Sequence, residues 1–117
     1  MLLRIDPAST VPLFEQLAAS VRSDASRGTL RAGDRLPAAR DVADSLDVNM
    51  HTVLRAYQLL RDEGLVDLRR GRGAVVTDRV GSYSELGEAI PRLVATAREL
   101  GLGVSTLTAM IRQEFDS

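Results

Sequence analysis

Apolar residues recur every three or four positions through most of this chain, a spacing that predicts a mainly helical fold. A first helix is expected from Pro12 to about Arg27, and its apolar face consists of Leu13, Leu17, Val21 and Ala25. Two more helices are expected over residues 38–46 and 50–63, separated by the turn Asp47-Val48-Asn49. Asn49 is a residue type that caps helix N-termini. The buried face of the third helix is Val53, Ala56, Tyr57 and Leu60.

The pattern changes after Gly64. The segments LVDLR and AVVTD indicate two short β-strands around the turn 70–73. Helical spacing returns after Arg79, where 80–83 is expected to be a linker and Ser82 with Glu85 a capping box that opens a fourth helix. Pro91 is expected to kink or restart that helix, and a fifth follows over 105–115. The fold class is therefore mainly α with a small β-hairpin, in two parts, 11–79 and 80–117.

Composition limits the classes of function. The 117 residues are enough for one domain with a short appendage, and aromatic residues make up only 3%, so the core must be aliphatic. There is no cysteine, which excludes disulfides and thiolate metal sites and fits a reducing cytoplasm. No apolar run reaches the roughly 18 residues that span a bilayer, and the N-terminus does not resemble a signal peptide. We therefore expect a cytoplasmic protein without membrane contact.

The order of the second helix, the turn and the third helix is typical of DNA-binding domains. A major groove admits one α-helix, which needs a buried inner face and hydrogen-bonding groups near its N-terminus. The third helix carries Asn49, His51, Thr52 and Arg55 there. An ordinary helical hairpin with a solvated face is the alternative, because amphipathic helices are common.

The arginine-rich turn between the two predicted strands suggests an anionic partner. Arg69, Arg70 and Arg72 alternate with Gly71 and Gly73 on a turn without carboxylates, where glycine lets the backbone approach a phosphate. A hairpin with incidental charge is the alternative. Net charge is −1 overall, but residues 1–79 carry 12 arginines and 11 acidic residues. Local charge therefore matters more than the total.

Arg40 lies in the first turn of the second helix, where a cation does not complement the helix dipole. This placement favours a partner outside the chain, such as a phosphate. An ion pair with Asp41, Asp44 or another acidic residue explains it equally well.

Catalytic and metal sites are not indicated. His51 is the only histidine, and the chain contains no nucleophile elbow, no phosphate-binding glycine loop and no cluster of metal ligands. We expect neither an enzyme, nor a cofactor, nor a metal.

Residues from about Pro12 to Val76 resemble the DNA-binding domain of GntR-type bacterial transcription regulators. The resemblance rests on the order and spacing of PLFEQL, GTLRAGDRLPAARDVA, LDVNMHTVLRAYQLL, EGLV and RGRGAVV. It implies a winged helix-turn-helix with the third helix in the major groove, and Arg40 on the DNA backbone. Asn49, Met50, His51 and Thr52 would start the recognition helix, with Arg55 one turn on, and Arg70, Gly71, Arg72 and Gly73 would form the wing tip in the minor groove. Met50 departs from the arginine or proline common there, and His51 from threonine or asparagine.

The 38 residues after the wing are too few to enclose a ligand pocket. Short two-helix tails of this kind resemble the YtrA subfamily, where the tail makes the dimer. Two helices with leucine-rich faces cannot bury both of these faces on their own, so a second copy of the chain is expected to pack on them. The dimerisation residues would be Leu86, Ile90, Leu93, Leu100, Leu107, Met110 and Ile111.

The residues and the resemblance together thus predict a homodimeric transcription regulator on a palindromic operator of double-stranded DNA. A repressor is favoured, and an activator is left open. A small-molecule effector is left open. A winged-helix module that binds proteins and has lost DNA binding is the alternative.

Overall fold

Five helices and one antiparallel hairpin make up residues 3–117, the part of the chain that the computed structural model describes. In chain order the elements are α1 (Leu13–Ser26), α2 (Ala39–Leu46), α3 (Met50–Asp62), β1 (Val66–Arg69), β2 (Gly73–Val76), α4 (Val80–Glu99) and α5 (Val104–Asp116). The mainly helical class with a small hairpin is confirmed. No helix in residues 3–117 is long and apolar enough to cross a membrane.

The core lies between α1 and α3, with α2 and the hairpin against them. The predicted faces are correct, because Leu17 and Val21 of α1 and Val53 and Leu60 of α3 are fully buried. An extended N-terminal arm lies against α1, held by the side chain of Gln16, which accepts a hydrogen bond from the Asp6 backbone N–H at 2.6 Å. The core thus fixes α3 with its opposite face outward.

The fourth helix begins at Val80, so the predicted linker over 80–83 and the capping box of Ser82 and Glu85 are wrong. Val80 is buried in the core. The Ser84 hydroxyl donates to the Ala25 carbonyl at 3.2 Å. Packing against α1 therefore extends the helix backward past the residues that would have capped it.

Pro91 does not restart the fourth helix, which is continuous from Val80 to Glu99. Proline has no backbone N–H, so the Gly87 carbonyl one turn earlier lacks the helical hydrogen bond that residue 91 would otherwise donate. Gly87 itself permits the close approach of α4 to α1, because a Cβ there would lie 2.8 Å from Cβ of Ser26. Packing against α1 thus supports the helix just before the proline.

A charged cluster joins α4 to the end of α3. Nε and Nη2 of Arg22 donate to the two carboxylate oxygens of Glu63 at 2.8 and 2.7 Å, and the Tyr83 hydroxyl donates to Glu63 at 2.7 Å. The hydrogen bond from Arg22 holds the pKa of Glu63 below its usual value of 4.5. Burial, followed by the hydrogen bond to Glu63, raises the pKa of Tyr83 to about 12. The carboxylate form of Glu63 therefore ties three helices together.

Substituting Glu63 should change how stability depends on pH. The lowered pKa means that Glu63 contributes stability above its unfolded pKa, and that this contribution is lost as the pH falls below 4.5 toward the folded pKa. We expect Glu63→Gln to lower the free energy of unfolding by about 2 kcal/mol near neutral pH. The difference should shrink at a pH well below 4.5, as the wild-type carboxylate becomes protonated. Urea unfolding at fixed protein concentration measures both values.

The matched control for this experiment is Glu85→Gln, which removes an exposed carboxylate from α4. Its effect on unfolding should be small at either pH. A Glu63→Gln difference of the same size at both pH values would show that the carboxylate charge does not link the helices.

Candidate nucleic-acid interface

The turn between α2 and α3 sets the start of the third helix. Asp47 adopts the left-handed conformation with φ 55°, and the Val48 N–H donates to the Ala43 carbonyl at 3.0 Å, which closes the end of α2. Oδ1 of Asn49 accepts the His51 backbone N–H at 2.8 Å, so the predicted cap is confirmed. This bond occupies the side-chain oxygen of Asn49 and leaves its amide nitrogen to donate outward.

The exposed start of α3 presents different chemical groups. Met50 and His51 are exposed, and Thr52 is half-buried. Arg55, one turn later, is also exposed, but its Cζ lies 3.9 Å above the centroid of the Phe14 ring. The guanidinium of Arg55 is therefore held beside the start of α1, which the sequence pattern did not indicate.

Tyr57 anchors α3 to the start of α2. Its hydroxyl donates to the Pro37 carbonyl at 2.6 Å, and burial raises the pKa of Tyr57 to about 12. The hydroxyl thus stays protonated near neutral pH and keeps this bond. The bond fixes α3 beside the segment that carries Arg40.

The hairpin pairs Val66 with Val76 and Arg69 with Gly73, which leaves a three-residue tip, 70–72. The Arg72 N–H donates to the Arg69 carbonyl at 3.1 Å. Gly71 and Gly73 have φ values of 80° and 71°, a region that favours glycine over residues with a Cβ. The glycines thus make the tight turn that exposes Arg70 and Arg72.

A segment before α2 supports the hairpin through an isolated antiparallel bridge to β2. The Gly33 N–H donates to the Val76 carbonyl, and the Leu36 N–H to the Ala74 carbonyl, both at 2.8 Å. The side chain of Arg35 donates through Nε to the Arg72 carbonyl at 2.9 Å. Residues 33–36 therefore brace the tip, a role that only long-range pairing reveals.

A groove of about 580 Å³ lies between α2, α3 and the hairpin, and we call it the wing groove. Its lining residues come from all three elements and include Ala39, Leu54, Leu68, Arg70 and Arg72. Arg40 directly follows one edge of the groove in the chain. The fold thus brings the predicted wing arginines beside the flank of α3, while Arg55 lies on the flank that contacts α1.

Ion pairs leave most of these arginines uncompensated. Within residues 3–117 the carboxylate ion pairs join Arg22 to Glu63, Arg61 to Asp62 and Arg69 to Asp67. None of them involves Arg40, Arg55, Arg70 or Arg72. The internal pair suggested as an alternative for Arg40 is therefore absent from the described residues.

Most of the large apolar side chains of the tail are exposed. No residue of α5 is buried. Of the predicted dimerisation residues, Leu107 is half-buried, and the exposed ones are Leu86, Ile90, Leu93, Leu100, Met110 and Ile111. Val104 and Phe115 are exposed to 83% and 86% and were not among the predicted residues.

Comparison with known proteins supports the family resemblance found in the sequence. Residues 13–76 match the family described as bacterial regulatory proteins, gntR family. The HTH-type transcriptional repressor YtrA of Bacillus subtilis is 28% identical, with 96% of this chain and 91% of that protein aligned. The HTH-type transcriptional regulator Rv1152 of Mycobacterium tuberculosis is 36% identical, with 86% and 83% aligned. These relatives are regulators and not enzymes.

Solved structures of GntR-family regulators share this fold. YtrA from Sulfolobus acidocaldarius, a GntR-family transcription factor, superposes with a TM-score of 0.62 at 36% identity and covers 81% of this chain and 99% of its own. A GntR family transcriptional regulator from Listeria monocytogenes, 24% identical with a TM-score of 0.65, shares the fold over 93% of this chain and 98% of its own. The chain therefore belongs to the GntR family of bacterial DNA-binding transcription regulators and resembles the YtrA proteins of that family over most of its length.

Proposed function

We propose that this chain is a homodimeric repressor whose two winged domains bind the two halves of a palindromic operator. The observation that carries the proposal is the set of exposed arginines around α3 and the hairpin that have no carboxylate partner within residues 3–117, Arg40, Arg55, Arg70 and Arg72. Exposed cations around a helix that has its inner face buried are suited to the phosphates on both sides of a groove.

In this proposal α3 enters the major groove and its first turn contacts the bases. The amide nitrogen of Asn49, the His51 ring and the Thr52 hydroxyl supply the hydrogen-bonding groups that distinguish base pairs there. Met50 lies among them. Arg55 binds a phosphate beside the start of α1, because Phe14 holds its guanidinium toward that helix. We therefore revise the predicted role of Arg55 from base contact to backbone contact.

The remaining arginines position the domain. Arg40, at the start of α2, binds the phosphate backbone. Arg70 and Arg72, on a tip made narrow by Gly71 and Gly73, enter the minor groove. Arg35 braces that tip through the Arg72 carbonyl. Such contacts fix the register of a protein on the duplex and contribute most of the salt-dependent affinity.

The exposed surface supports a second copy on the tail. The chain exposes 8249 Å², whereas a compact monomer of its 12.7 kDa exposes about 6,200 Å². Its radius of gyration is 15.8 Å, against about 13.4 Å for a compact domain of this length. The apolar faces of α4 and α5 contribute to this excess. We therefore assign 11–79 to DNA binding and 80–117 to dimerisation, with the start of α4 shared because Val80 and Tyr83 pack on the core.

Repression follows the name of the Bacillus subtilis relative, a transcriptional repressor. Where the operator overlaps a promoter, a dimer that covers it with two recognition helices and two wings would keep the polymerase off the promoter. A regulator of bacterial genes acts on DNA in the cytoplasm, where we place this chain.

Selection from a randomised duplex library tests the proposal. We expect the full-length chain to enrich an inverted repeat whose half-sites are centred about 10 base pairs, or a multiple of that, apart. Duplexes with one half-site scrambled should bind more weakly in fluorescence anisotropy titrations. If no sequence were enriched over the starting library, the chain would instead fit a protein-interaction module with a winged-helix fold.

A further inference from the structure

Two apolar side chains stand exposed on the helix that we assign to the major groove. Met50 and Leu54 are each 37% exposed and lie four residues apart, on one flank of α3. Leu54 lines the wing groove. Neither residue belongs to the buried core or to the partly buried apolar residues packed against it.

The buried core does not require apolar groups at these positions. The opposite flank of α3 contacts α1, where Arg55 covers Phe14. The buried face between the flanks consists of Val53, Ala56, Tyr57 and Leu60. A polar residue at 50 or 54 would therefore leave the core unchanged, so the apolar surface of this flank is available to a partner outside the chain.

The surrounding charges identify that partner as a polyanion. Arg70 and Arg72 lie across the wing groove from Leu54, and His51 follows Met50 in the first turn. An apolar protein surface would not match arginines that have no carboxylate partners in residues 3–117. Duplex DNA does match, because it combines flanking phosphates with one exposed apolar group in the major groove, the C5 methyl of thymine.

We propose that Met50 and Leu54 recognise thymine methyl groups and thereby contribute to the choice of operator. This inference rests on the proposed binding of α3 in the major groove. Contact with the methyl removes apolar surface of both partners from water, and cytosine lacks that group. The two side chains thus select thymine without a hydrogen bond, next to the polar groups of Asn49 and His51.

Replacing thymine by deoxyuridine tests the inference, because the two bases differ only in the methyl group. The probe is the full-length chain's own selected duplex, with each thymine of one half-site replaced in turn. We expect one or two replacements to weaken binding by about fourfold each, the ratio that burial of one methyl-sized group gives. Replacements outside the bound half-sites should have no effect.

Variants assign the methyl contact to these residues. In Met50→Ala with Leu54→Ala, the thymine and uracil duplexes should bind equally. Leu68→Ala truncates another apolar residue of the wing groove and should keep the fourfold ratio, since Leu68 lies on β1. Each ratio compares the affinities of one protein for the thymine and uracil duplexes, so a general loss of affinity does not affect it. Thermal unfolding verifies that the variants fold.

The outcomes separate this inference from the proposed function. A selected operator that tolerates uracil at every position, or that has no thymine in the half-site, would overturn methyl recognition while DNA binding stands. A methyl effect that persists in the double variant would also overturn it. Failure to enrich any duplex would overturn both.

Discussion

Replacing Ile90 and Ile111 by aspartate is expected to make this chain monomeric and to lower its affinity for a palindromic operator by on the order of 10²-fold. Both side chains are exposed, at 51% and 41%, on the apolar faces of α4 and α5. Substitution there removes no core packing from the single chain. In a dimer, each aspartate would bury a charge against a second apolar face, which is costly without a partner.

The large effect on DNA binding follows from geometry. One protomer presents one α3 and one wing, and so contacts one half-site. Joining two protomers makes the second contact intramolecular, which raises the overall affinity without any new contact to DNA. The two substitutions lie on the tail, outside the residues that we assign to the interface with DNA. A lower affinity would therefore report the loss of the dimer.

Ala95→Asp with Ala109→Asp is the matched control. It adds the same charge to the same two helices, at exposed positions on the faces opposite the apolar ones. Sedimentation velocity should show a dimer for the control and a monomer for Ile90→Asp with Ile111→Asp. A variant that stays dimeric, or a monomeric variant that binds the operator at full strength, would contradict the assigned role of the tail.

Periodicity was enough to predict the core of this fold. The apolar positions of α1 and α3 are spaced by helical turns, and Leu17, Val21, Val53 and Leu60 are all fully buried. Local chemistry was equally reliable at Asn49, which caps α3 as predicted. These features depend on residues within a few positions of each other, and the sequence displays such relations directly.

Features that depend on distant residues were not predictable in the same way. The capping box at Ser82 and Glu85 is a strong local pattern, but the packing of Val80 in the core overrides it. The pairing of residues 33–36 with β2 has no local indication, because its partner lies about 40 residues later. The stacking of Arg55 on Phe14 joins two helices whose relative placement only the structure supplies. This stacking changes the role that we propose for Arg55.

Replacing Arg70 and Arg72 by alanine is expected to weaken DNA binding on every sequence, by on the order of tenfold or more at moderate salt. The two guanidiniums stand on the exposed tip of the hairpin without carboxylate partners in residues 3–117. Removing one arginine from a phosphate should reduce the slope of log affinity against log salt by about 0.9. The expected reduction is thus about 2 for each protomer, measured by titrations across a range of salt concentrations.

The matched control is Arg27→Ala with Arg92→Ala, which removes the same charge from exposed positions at the C-terminal cap of α1 and on α4. It distinguishes direct contact at the wing tip from a general effect of charge. An effect of net charge alone would weaken binding equally in both double variants, because their net charge is identical. Direct binding at the wing tip would reduce the salt slope only in Arg70→Ala with Arg72→Ala. The preference for one operator over another should survive there, because we assign positioning of the domain to the wing and base contacts to α3. A changed operator preference with an unchanged salt slope would instead mean that the tip reads bases and leaves the phosphates to other residues.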